Sequence, residues 1–196
     1  MRRAPSLRGL GRDQSGATIV EFAMILPVMC VLLLGVIDLG YRSYVTSIVQ
    51  GSLHEAARMA TVGGVSTAQI ETHVRNRLRE FSHQAEIETE TRSYSDFNGV
   101  GVPEAITQDT VPIGQYNPGD CYQDANGNSQ YDVDRGRTGL GGAEDVVRLK
   151  VTMRYPRIVP LGGMLGWEDD IEIVQETVLR NQPFAGRNTG VQTRCS

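Results

Sequence analysis

One long apolar run near the N-terminus dominates the hydrophobic pattern of the chain. Sixteen consecutive residues, Phe22 to Ile37, carry no charge, and an extension back to Ala17 gives 21 residues with Glu21 as the one acid. A helix of 21 residues spans about 31 Å, and a bilayer hydrocarbon core is about 30 Å thick. The run therefore predicts a transmembrane helix over residues 17–37, kinked at Pro27. A signal peptide is disfavoured, since GVIDLGYRS offers no small-x-small cleavage site.

After the apolar run, the pattern changes to that of helices with one buried face. The first helix is predicted to continue to Gly63-Gly64 with a buried stripe of Tyr44, Ile48, Leu53, Ala56, Ala57 and Ala60. Ser66 and Gln69 have capping-box spacing at the start of a second helix. Its apolar face is predicted to comprise Ile70, Val74, Leu78 and Phe81. Asp38, at the end of the apolar run, is interpreted as an acid that meets water at the membrane edge.

Three segments alternate in the manner of strands, namely residues 85–92, 146–155 and 171–180. The first is rich in glutamate and the second in basic residues, so we expect the two to be neighbours. The fold class predicted is α+β, with an antiparallel sheet packed against the N-terminal helix. The tail from Asn181 is expected to be irregular.

A glycine-rich connection of about fifty residues, 95–144, separates the first two strands. Connections of that length are usually functional or disordered. Within it, DANGNSQYDVD suggests an oxygen-ligand calcium loop, with the candidate ligands Asp124, Asn126, Asn128, Asp132 and Asp134. The glycine and glutamate positions of an EF-hand are not matched. An Asn-Gly turn with solvated acids is therefore the alternative.

Charge is distributed unevenly. Residues 1–16 hold four arginines and one acid, whereas the remainder holds 15 basic and 22 acidic side chains. A basic stub on an acidic body disfavours nucleic-acid binding. By the positive-inside rule, the N-terminus lies in the cytoplasm and residues 38–196 lie outside.

The remaining chemistry of the sequence is sparse. In an oxidising compartment, Cys121 and Cys195 either form a disulfide or stay as two thiols. No P-loop, dinucleotide fingerprint or nucleophile elbow is present, so we do not expect an enzyme.

Glu21 needs an explanation, because an acid in a membrane helix is costly. Either it snorkels to the interface, or it meets a positive charge. No lysine or arginine lies three or four residues away. Cleavage after Gly16 would supply an ammonium at Ala17, and opposite charges attract strongly in a low-dielectric helix bundle.

The stretch from SGATIVEFAMILPVMC to AARMA resembles the TadE-like minor pilins, or pseudopilins, of the tight-adherence (Flp) pilus system. The shared features are a basic leader, a glycine followed by four residues and Glu-Phe, a leucine run and Gly35 to Gly40. The resemblance implies a leader at 1–16, removed after Gly16 by a prepilin peptidase, and a pilin-like domain at 38–196. It also implies that Glu21 and Phe22 act in assembly with other pilins and the assembly platform.

The resemblance further implies a single-pass protein of the bacterial inner membrane with its C-terminal domain in the periplasm. The alternative function is an unprocessed single-pass anchor that displays a calcium-dependent extracytoplasmic binding domain. The mature N-terminus separates the two hypotheses, because only the pilin hypothesis requires the chain to begin at Ala17.

Overall fold

The N-terminal helix α1 extends over Ala17–Val62 and continues through Pro27. The computed structural model describes residues 16–62, 64–79, 84–159, 163, 166–182 and 190–195. The predicted leader up to residue 15, and Gly63 and Phe81, lie outside the described residues. By length and composition, α1 is the one helix among the described residues that is long and apolar enough to cross a membrane.

The chain divides into two compact units. Unit 1 comprises Met1–Ser43 and Arg157–Asp169, and unit 2 comprises Tyr44–Pro156 and Asp170–Ser196. In unit 1, the apolar side chains of α1 are exposed, and the most apolar window of the helix is 0% buried. An apolar surface of this extent is typical of a membrane-facing helix.

In unit 2, the buried stripe of α1 agrees with the prediction at Leu53, Ala56 and Ala60 and differs at the other predicted positions. Tyr44 is exposed, and the buried residues are Val45, Val49, Ser52, Leu53, Ala56 and Ala60. Ile48 and Leu53 are five residues apart, and residues at that spacing do not lie on the same face of a helix. Steps of four, four, three and four from Val45 to Ala60 keep to one face, so the stripe lies there.

Helix α2 extends over Thr67–Arg79 and buries Ile70, Val74 and Leu78, as predicted. Its capping box is also confirmed. The Ser66 backbone N–H donates to Gln69 Oε1 at 2.8 Å, and the Gln69 N–H donates to Ser66 Oγ at 3.3 Å. These two bonds satisfy N–H groups that the first turn of a helix leaves without partners.

The larger sheet is antiparallel and contains the three predicted strands. They are β1 (Glu86–Tyr94), β5 (Val146–Pro156) and β6 (Asp170–Arg180), and the strand order is β4-β1-β5-β6, with the short β4 at Arg137–Thr138. The expected pairing of acidic and basic strands is confirmed, since Glu86 opposes Arg154 and Glu90 opposes Lys150. The buried faces of β5 and β6 contribute Val147, Leu149, Val151, Met153, Ile171 and Ile173 to the core.

The glycine-rich connection contains strands that the sequence pattern did not predict. Beyond a 3₁₀ turn at Phe97–Gly99, it holds β2 (Ile106–Gln108) and β3 (Cys121–Asp124). These pair with β7 (Gln192–Cys195) in a second sheet of order β2-β3-β7. The expectation of an irregular tail is therefore wrong for residues 192–195. Strands of three and four residues are too short to show an alternation.

Candidate assembly site on the N-terminal helix

The start of α1 coincides with the predicted cleavage point. Gly16 lies directly before the helix, and its carbonyl accepts a hydrogen bond from the Val20 N–H at 3.2 Å. Among the described residues, none lies within 4 Å of a Cβ atom added at Gly16. The described part of the fold therefore does not require glycine at position 16.

Glu21 and Phe22 both point away from the chain. Phe22 is 58% exposed, and Glu21 is exposed on the first turns of the helix. Among the described residues, none forms a hydrogen bond or ion pair with the Glu21 carboxylate. Its neighbours Ile19, Val20 and Ile25 are exposed apolar side chains. The arrangement is thus a carboxylate on an apolar surface, open to a cation from a chain end or a second molecule.

Asp38 is not the solvated acid that the sequence suggested. Its side chain is 4% exposed, and Oδ2 accepts a hydrogen bond from Arg157 Nη1 at 2.5 Å. Arg157 Nε donates to the Glu168 carbonyl oxygen at 2.7 Å, and its guanidinium lies 5.2 Å from the centre of the Trp167 ring. The partner of the buried Asp38 is thus Arg157, at the start of the connection between β5 and β6, and a helical pattern carries no signal of that distant contact.

The predicted calcium loop is closed by internal hydrogen bonds. Asp124 is buried, and its carboxylate accepts from the N–H groups of Gly127 at 2.6 Å and Ser129 at 3.0 Å, and from Arg194 Nε at 2.6 Å. The side-chain amides of Asn126 and Asn128 both donate to Asp132 Oδ2. Four of the five predicted ligands are therefore joined in one hydrogen-bonded loop.

The fifth predicted ligand, Asp134, serves a different network. Its carboxylate accepts from Tyr94 Oη and Arg148 Nη2, each at 3.0 Å. Glu104, which sequence reasoning missed, is buried beneath the loop and accepts from the N–H groups of Ala125 and Asp132. Burial raises the pKa of Glu104 above its usual value.

Within the described part of the chain, no group of three or more histidine, cysteine, aspartate or glutamate side chains is arranged to hold a metal ion. Since asparagine oxygens are also ligands for calcium, calcium binding by the loop stays a prediction.

A disulfide joins the loop to the last described strand. Cys121 and Cys195 face each other in the register of β3 and β7, and their sulfur atoms are bonded. Cys30 is a free thiol, exposed within the apolar run of α1. Disulfides persist in oxidising compartments outside the cytoplasm.

Together, the exposed apolar helix and the antiparallel sheets define an α+β protein whose described residues include one candidate membrane span. Residues 16–58 match the model of the family described as TadE-like protein. The resemblance inferred from the sequence is thereby confirmed over that segment, and it indicates a membrane protein associated with the Tad pilus. None of the curated proteins and none of the solved structures matches the chain.

Proposed function

We propose that this protein is a minor pilin or pseudopilin that takes part in the assembly of a tight-adherence pilus. In this role, a prepilin peptidase removes residues 1–16, and the new ammonium at Ala17 meets Glu21 of its own or a neighbouring chain. The remaining partners are other pilins and the assembly platform, within the inner membrane.

The observation that carries the proposal is the placement of Glu21. A helix that begins at Ala17 presents this carboxylate on its fifth residue, surrounded by exposed apolar side chains. In a medium of low dielectric constant, the attraction between opposite charges is many times stronger than in water. An ammonium one turn away, or on a parallel helix, is therefore the counter-charge that this surface suits best.

Two features support an orientation with residues 38–196 outside the cytoplasm. Four arginines precede the apolar run, whereas Arg42 is the one lysine or arginine in the twenty positions after it. The Cys121–Cys195 disulfide also suits the periplasm better than the reducing cytoplasm.

The decisive experiment is the determination of the mature N-terminus. The protein is expressed in its host with and without the prepilin peptidase, extracted from membranes and analysed by mass spectrometry. The proposal requires a chain that begins at Ala17 only when the peptidase is present. An intact leader in both strains would favour the unprocessed anchor instead.

A further inference from the structure

The connection between β5 and β6 belongs to the same compact unit as the apolar part of α1. It spans Arg157–Asp169, and its sequence RIVPLGGMLGWED is apolar apart from its ends. Two of its described side chains are large, apolar and exposed, since Ile158 is 57% and Trp167 is 44% exposed. Turns that face water favour glycine, proline, asparagine, aspartate and serine, so an apolar connection with an exposed tryptophan suits apolar surroundings better than water.

The hydrogen bonds of Arg157 define where this connection lies along α1. Arg157 binds Asp38, which is the first charged residue after the uncharged run that ends at Ile37. The Trp167 ring lies 5.2 Å from the same guanidinium. Trp167 is therefore at the level where the apolar surface of the helix ends.

We propose that this connection is a lipid-binding loop, in which the described side chains of Trp167 and Ile158 are seated at the boundary between headgroups and acyl chains of the outer leaflet. The Asp38–Arg157 ion pair holds the loop at that depth. This inference rests on the membrane span of the proposed function, but it does not depend on cleavage or on pilus assembly.

Three observations favour lipid over a protein partner. Tryptophan is enriched at membrane interfaces, where its ring is apolar and its N–H meets water. Trp167 lies near Arg157, which binds Asp38 at the end of the exposed apolar surface of α1, and the membrane itself would cover that surface. The acids Glu168 and Asp169 follow directly, so the loop binds through apolar burial and is not drawn to anionic headgroups.

Trp167 is the sole tryptophan of the chain, so its fluorescence reports on the loop alone. The full-length protein is reconstituted into phosphatidylcholine vesicles whose acyl chains carry bromine either near the headgroup or near the chain end. We expect strong quenching by the shallow bromine, weaker quenching by the deep bromine and little quenching by aqueous acrylamide. Strong acrylamide quenching without bromolipid quenching would overturn the proposal. Protection from both quenchers that is lost on dilution in lipid would overturn it in favour of a second copy of the chain.

Two variants provide controls. In Trp167→Phe combined with Phe97→Trp, the tryptophan replaces an exposed residue of unit 2, and we expect quenching by acrylamide only. In Asp38→Asn, the ion pair is lost. We then expect quenching of Trp167 by the bromolipids to decrease and quenching by acrylamide to increase. Unchanged bromolipid quenching in Asp38→Asn would refute the claim that the Asp38–Arg157 ion pair holds the loop at the membrane interface.

Extraction with alkaline carbonate distinguishes failure of the membrane span from failure of lipid binding by Trp167. If the full-length protein is released from the vesicles, the membrane span itself fails, and the proposed function fails with it. If the protein is retained but Trp167 shows no bromolipid quenching, only the lipid-binding loop is refuted.

Discussion

Asp38 and Arg157 are 119 positions apart in the sequence, yet their side chains form a buried ion pair. A buried charge that loses its partner costs roughly 3–5 kcal/mol. We therefore predict that Asp38→Ala or Arg157→Ala destabilises the β5–β6 connection by an amount of that order. The measurement is denaturant unfolding in detergent, followed by Trp167 fluorescence.

The exposed pair between Arg154 and Glu172 provides a matched control, because its distance of 2.6 Å is similar but both side chains are about half exposed. Exposed pairs contribute about 0–1 kcal/mol, so Arg154→Ala should have a small effect. The double variant Asp38→Ala/Arg157→Ala should lose less than the sum of the single losses. Additive losses would show that the two side chains act independently.

Glu21→Ala should leave membrane insertion intact, since removal of an acid makes the helix more apolar. Cleavage after Gly16 should also persist. Assembly should fail, because the Ala17 ammonium would lose its counter-charge at a cost of roughly 3–5 kcal/mol. Glu21→Gln keeps the size but not the charge and should rescue poorly. The assays are co-purification with partner pilins and a count of surface pili. If Glu21→Ala assembled at the wild-type level, Glu21 would instead be an acid that reaches the membrane interface and has no role in assembly.

Gly16→Phe should block processing while leaving the fold unchanged. A peptidase that cuts beside glycine needs close approach to the backbone, which a side chain obstructs. No described residue lies close enough to hinder a side chain at position 16, so an effect on cleavage would arise in the peptidase complex. Immunoblots should show the uncut precursor in the membrane fraction, with an unchanged melting temperature. Normal processing would count strongly against a prepilin.

Calcium is predicted to bind the Asp124–Asp132 loop and to raise the melting temperature of the protein, since a ligand that binds only the folded form stabilises it. The detergent-solubilised protein is titrated with calcium, and magnesium serves as the control ion. Asp132→Ala should abolish the shift, whereas Asp134→Ala should keep it, because Asp134 belongs to the Tyr94 and Arg148 network. A flat titration at millimolar calcium would leave the loop as a turn closed by its own hydrogen bonds.

Tyr94 should make stability sensitive to alkaline pH. Burial, together with the hydrogen bond to Asp134, raises the pKa of Tyr94 from 10.0 to about 12. Between these values the unfolded chain loses the phenol proton, whereas the folded chain keeps it. The stabilisation is complete below pH 10.0 and declines as the pH rises toward about 12. The free energy of unfolding should therefore fall more steeply over this range for the wild type than for Tyr94→Phe. Parallel curves would refute the assignment.

The sequence predicted the features that depend on local periodicity. The apolar run, the capping box of Ser66 and Gln69, and the three long strands are each written in consecutive residues, so their signals are strong. The pairing of β1 with β5 was also predicted correctly, from the opposite charges of the two strands. The start of the buried stripe of α1 was predicted at Tyr44 but lies at Val45. Both residues are apolar, so the sequence pattern alone does not distinguish them, and the packing in unit 2 determines which is buried.

The features that were missed depend on contacts between distant segments. Asp38 pairs with Arg157, which lies more than a hundred residues later in the sequence. Strand β3 pairs with β7, which lies about seventy residues later. Short strands such as β2 carry too few residues for a pattern. No sequence pattern indicated a role for Glu104, because its carboxylate accepts hydrogen bonds from the N–H groups of a loop that begins twenty residues later.

The disulfide also has a consequence for the order of events during export. Cys121 and Cys195 have a sequence separation of 74, and β4, β5 and β6 lie between them. In the orientation proposed here, the chain reaches the periplasm from its N-terminal side, so Cys121 arrives while its partner is still to come. Cys30 is then held in hydrocarbon and cannot compete for it. The bond can therefore close only after both long strands of the hairpin have crossed the membrane, so its formation reports that β5 and β6 have both reached the oxidising side.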